Sequence, residues 1–70
     1  MIKQVHLLFA KAVQAGKAVA VKNEKDEVTF IPMQAFRGDI TETLSLTQVA
    51  KELNWDTNWE AQVEQMDGEI

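Results

Sequence analysis

The stretch KAVAVKNEKDEVTFIPM, residues 17–33, decides the fold. Its first part alternates, with Lys17, Val19 and Val21 on one side and Ala18, Ala20 and Lys22 on the other, which is the period of a strand. Its last part, Val28 to Met33, is rich in β-branched and aromatic residues that suit a pleated, half-buried surface. Between them, Asn23 to Glu27 is polar throughout and of hairpin-loop length. These patterns predict two antiparallel strands. The spacing leaves the register open: either Ile31 and Met33, or Val28 and Phe30, join the small Ala18 and Ala20 beneath a covering helix. Pro32 offers no N–H to a ladder, so it is expected at a sheet edge or a strand end. A lone two-stranded ribbon is marginal in water. A third strand from Asp39 to Leu44, or another copy of the chain along an open edge, is expected to complete it.

Upstream, residues 2–15 plotted at 100° per residue bring Ile2, Val5, Phe9, Ala12 and Val13 into one arc, with Leu8 and His6 at its margins. This predicts an amphipathic helix lying on the hairpin. Gly16 follows as the residue for a left-handed C-terminal cap, where a Cβ would be strained. Leu7 falls on the opposite side, among Lys3, Gln4, Lys11 and Gln14, which makes it a candidate subunit or partner contact. His6 is the only imidazole and has no nucleophile or second ligand near it in sequence, so it reads as a partly packed helix residue. Beyond the hairpin, Arg37-Gly38-Asp39 reads as a tight turn, with Gly38 supplying an unusual backbone angle.

Downstream, Ser45 followed by Gln48 spells a capping box, in which each side chain satisfies the other residue's free amide. Leu46, Val49, Ala50 and Leu53 then form a buried stripe, predicting a helix from Leu46 to about Leu53. Asn54 is the expected left-handed stop. Thr57 with Glu60 repeats the capping signature and predicts a further helix to about Met66, with Trp59, Val63 and Met66 on one side. Trp55 and Trp59 read chiefly as core-sealing aromatics, and secondarily as exposed anchors for a partner. The fold class is therefore α+β: an N-terminal amphipathic helix, an antiparallel hairpin, then one or two short C-terminal helices. The chain reads as one small domain over residues 1–70, with 67–70 expected to fray for want of a periodic pattern.

The run Thr47-Gln-Val-Ala-Lys-Glu-Leu-Asn-Trp55 resembles the first helix and turn of the helix-turn-helix DNA-binding motif, with small Ala50 at the crossing point and Leu53 before the turn. The resemblance implies a DNA-reading segment over residues 46–66. Its second half departs from the motif. Glu60 stands where a buried apolar residue belongs, and Glu60, Gln62, Glu64 and Gln65 offer no cation to phosphate.

Charge is lopsided. Residues 52–70 hold six acids and no Lys or Arg, whereas residues 1–25 hold five Lys against Glu24 alone, for a net charge of −4. There is no Cys, so disulfides are excluded, and one His makes a zinc site untenable. No glycine-rich phosphate cradle, no nucleophile beside a base and no metal-ligand spacing occurs. Neither catalysis nor a cofactor or metal is expected. Lys3 and Lys11 bracket a short apolar run at the N-terminus, which predicts neither a signal peptide nor a membrane span, and so a cytoplasmic location. The function expected is that of a non-enzymatic regulator, adaptor or inhibitor contacting a protein partner, with Leu7, Trp55, Trp59, Glu60 and Glu64 as candidate contacts. A homodimer is the expected remedy for a small core. The competing expectation is a nucleic-acid-binding transcriptional regulator using residues 46–66 or a basic surface from residues 3–25.

Overall fold

The computed structural model describes residues 2–66. Helix α1 spans Gln4–Gln14, strands β1 and β2 span Ala18–Lys22 and Val28–Pro32, and helices α2 and α3 span Leu46–Glu52 and Trp59–Gln65. Two 3₁₀ turns, Met33–Ala35 and Ile40–Glu42, lie between β2 and α2. This is the expected α+β order. The expectation for residues 67–70 lies outside the described residues.

Gly16 ends α1 at φ 76°, and Lys17 then turns back to donate its N–H to the Ala12 carbonyl. The hairpin pairs Ala18 with Pro32, Ala20 with Phe30 and Lys22 with Val28. That register settles the open alternative, because it puts Val28 and Phe30 on the face that carries Ala20, against the core. At the turn, the Asn23 side chain accepts from the backbone N–H groups of Lys25 and Glu27, and Asp26 takes φ 64°. Pro32 lies opposite Ala18 on β2, which among the described residues has no neighbouring strand but β1.

The expected third strand over residues 39–44 does not form. The Asp39 carboxylate accepts from the Thr41 N–H at 3.0 Å and caps the 3₁₀ turn instead. That bond holds the carboxyl below its ordinary pKa. Only Leu44 reaches the sheet, donating its N–H to the Ala20 carbonyl at 2.7 Å on the free side of β1. Gly38 is corrected too. It does not take a left-handed φ, but a Cβ there would meet the Phe36 ring at 2.9 Å, so the glycine makes room for that ring.

The core gathers Ile2, Ala10, Ala20, Val49, Ala50, Trp55 and Val63, with Leu7, Phe30, Leu44 and Trp59 packed against it. Alanines at positions 10, 12, 18, 20 and 50 make up half of the buried apolar residues among those described. Helix α1 contacts both β1 and α3. Ile2 and Ala12 of the expected arc are buried, but the covered side is wider and shifted: Val5 is 49% exposed, while Leu7, placed on the opposite side by its spacing, is half-buried against the core.

Candidate interaction surface

The C-terminal surface is set by how α2 hands over to α3. Ser45 and Gln48 close the expected capping box, with the Ser45 Oγ accepting from the Gln48 N–H at 3.2 Å and the Gln48 Oε1 accepting from the Ser45 N–H at 3.1 Å. Val49 and Ala50 are buried, and Asn54 ends the segment at φ 57°, as expected. The Trp55 N–H then donates to the Ala50 carbonyl at 2.9 Å, which draws the Trp55 side chain into the core.

The second expected box is absent. Asn58, not Thr57, stands at the N-cap of α3, and it makes no side-chain cap bond. Its Oδ1 is taken instead by the Gln62 side-chain amide at 2.7 Å, which also reaches Asp56 at 3.4 Å. This polar cluster fixes the outer side of the first turn. Val63 is buried on the inner side, with Trp59 and Met66 half-buried beside it.

The candidate contacts thus separate. Glu60 and Glu64 are both exposed one turn apart on α3, so they share a face. Trp59 is half-buried next to them in sequence, its ring 5.8 Å from that of Trp55 at 55°. Trp55 retains only 9% of its surface, and Leu7 is packed against the core, so neither stands out toward a partner. His6 packs its ring 6.1 Å from Phe30 and 6.2 Å from Trp55, as a helix residue filling the space between α1 and the core. The Trp55 indole N–H is buried with no hydrogen-bond acceptor among the described residues.

The lopsided charge is partly spent inside the fold. Lys22, on β1, meets Glu52 of α2 at 2.9 Å and Asp26 of the hairpin turn at 3.4 Å. The hydrogen bond to Glu52 leads the influences that raise the Lys22 pKa above its usual value. Lys11 donates from α1 to the Met66 carbonyl at the end of α3, where a cation complements the negative pole of the helix. Arg37 is turned onto the Gln34 and Phe36 carbonyls. Lys11 and Lys22 belong to the basic stretch of residues 3–25, and that stretch does not reveal their ties, because Met66 and Glu52 are distant in the chain. Lys3, Lys17 and Lys25 remain exposed and outside the ion pairs of the described residues.

Among the described residues no group of three or more His, Asp or Glu side chains converges on a point that would hold a metal ion, and no helix is long and apolar enough to cross a membrane. Comparison with protein-family models, with curated proteins and with solved structures gives no match.

Proposed function

We propose that this chain is a non-enzymatic interaction module that acts by surface contact with a protein partner through the acidic face of α3. One observation carries the reading: Glu60 and Glu64 stand exposed on a helix that has no cation, beside a half-buried Trp59. Like charges one turn apart weaken an isolated helix, so a helix that keeps them is better explained by a complementary basic partner. Such complementarity accelerates encounter and makes it sensitive to salt. An indole at the edge of the acidic face supplies the apolar anchor on which contact energies concentrate. In this reading the module works in the cytoplasm, with which its lack of cysteine is consistent.

The competing reading, nucleic-acid binding, rests on exposed Lys3, Lys17 and Lys25. It has less support, because Lys22 and Lys11 are engaged with acceptors of the same chain. The test compares immobilised wild type with the double variant Glu60→Lys, Glu64→Lys in affinity capture from lysate at low and raised salt. The expected result is a protein held by wild type, released by salt and lost from the variant. Equal capture by both forms, or tight binding of mixed-sequence duplex that weakens steeply with salt, would overturn the proposal.

A further inference from the structure

The hairpin register leaves the backbone groups of Val28 and Phe30 without backbone partners among the described residues. Asn23 donates to the Glu27 carbonyl and Met33 donates to the Lys17 carbonyl, both at 2.9 Å, so the hydrogen-bonded pairs of the hairpin fall at its odd-numbered residues. Val28, Phe30 and Pro32 consequently direct their backbone groups away from β1. On the far side of β1, Leu44 takes the Ala20 carbonyl. On the far side of β2, the Pro32 carbonyl is taken by the Phe36 N–H, but Val28 and Phe30 have no backbone partner among the described residues. Proteins guard such edges with charge, proline or a bulge. Here the run Val28-Thr-Phe-Ile31 carries no charge, and Pro32 blunts only its end.

We infer that a second copy of the chain pairs with β2 along this edge, antiparallel, about a two-fold axis at Thr29. Val28 then lies opposite Phe30 of the second copy, and each such pair exchanges both N–H···O bonds. The sheet becomes continuous in the order β1, β2, then β2 and β1 of the second copy.

Three observations select a second copy over a foreign strand. The edge is self-complementary in this register: Thr29 meets itself in the closer, non-hydrogen-bonded type of pair, and Glu27 meets Ile31, so no like charges stand directly opposite. The strand is also electrically polar. It runs from a turn where Glu24, Asp26 and Glu27 face Lys25 and the Lys22 paired with Asp26, a net acidic end, to an end bonded to Lys17, so antiparallel pairing brings the acidic end of each copy toward the basic end of the other. Finally, Phe9 of α1 stacks on Phe30 at 5.0 Å and 7°, and Val5, one turn earlier on that flank, is 49% exposed. A two-fold axis perpendicular to the sheet puts both α1 helices on one face, with their Val5 flanks turned toward the seam.

The inference is independent of the role proposed for α3, and its test leaves α3 untouched. Sedimentation of the wild-type chain from micromolar to near-millimolar concentration is expected to give twice the chain mass at the upper end. Thr29→Lys places two like charges face to face at the axis and is expected to weaken association about 100-fold. Amide hydrogen exchange on the wild type supplies a second readout that needs no variant. Thr29 and Ile31 point toward β1 and stay protected at all concentrations, whereas Val28 and Phe30 become protected only as the dimer forms. A wild-type chain that stays monomeric with Val28 and Phe30 exchanging fast would overturn the inference. So would a dimer indifferent to Thr29→Lys, or protection of Val28 and Phe30 in the monomer. Protection that appears only when a different protein is added would also overturn it, in favour of a foreign strand.

Discussion

Replacing Trp55 with Phe tests whether its buried indole N–H is truly without an acceptor. Trp55 keeps 9% of its surface and belongs to the core, so Trp55→Ala should cost about 3 to 5 kcal/mol. For a chain of 70 residues, whose whole stability is of order 4 to 10 kcal/mol, that is close to unfolding. Phe retains most of the packing and gives up roughly 50 Å² of apolar area, worth about 1 kcal/mol. It also removes a donor whose burial without a partner costs about 1 to 3 kcal/mol. The two terms nearly cancel, so Trp55→Phe should stay within about 1 kcal/mol of wild type, or exceed it. Urea unfolding followed by far-ultraviolet circular dichroism measures the difference without relying on indole emission. At a slope of about 1 kcal/mol per molar, the midpoint should move by less than about 1 M for Phe and by about 3 M or more for Ala. A Phe variant losing half or more of what Ala loses would refute the reasoning, because the N–H would then have an acceptor in solution.

Two further outcomes follow from local chemistry. Ser45→Ala removes the reciprocal cap of α2 and should cost about 1 kcal/mol, read as a lower thermal midpoint; an unchanged midpoint would mean that the packing of Val49 and Ala50 alone fixes the helix start. Lys22 has its folded-state pKa raised above 10.5, so its stabilising contribution is complete below that pH and is lost as pH rises through the folded value. Wild type should therefore outlast Glu52→Gln in denaturant at neutral pH, with the gap closing in alkaline solution; a gap constant across that range would contradict the pairing.

What could be read from the residues was whatever their neighbours in sequence determine. The hairpin loop at 23–27, the Gly16 and Asn54 stops and the Ser45–Gln48 box all depend on contacts within a few positions, and all appear as expected. The misreadings share a different cause. A helical wheel assumes one covered side, but α1 is covered both by β1 and by α3, which brings Leu7 inward and leaves Val5 out. The hairpin register stayed open because both sides of β2 are apolar, and only Ala20 beneath the core selects Phe30. Thr57 lost its cap because the Gln62 amide holds Asn58 in that place. On the candidate surface, Glu60 and Glu64 were visible from composition, whereas the tie between Lys22 and Glu52 spans the chain and has no local signature.

The alanine-rich interior has a thermal consequence. Small buried side chains hide little hydrocarbon, and the heat-capacity increment of unfolding grows with the apolar surface released. The increment here falls below what chain length alone suggests, and the stability curve flattens. Such a domain gives up little on cooling and has little to gain at its optimum. Methylene groups added at Ala10 or Ala20 would not remedy this, because both positions are fully buried and added volume in a packed interior strains its neighbours.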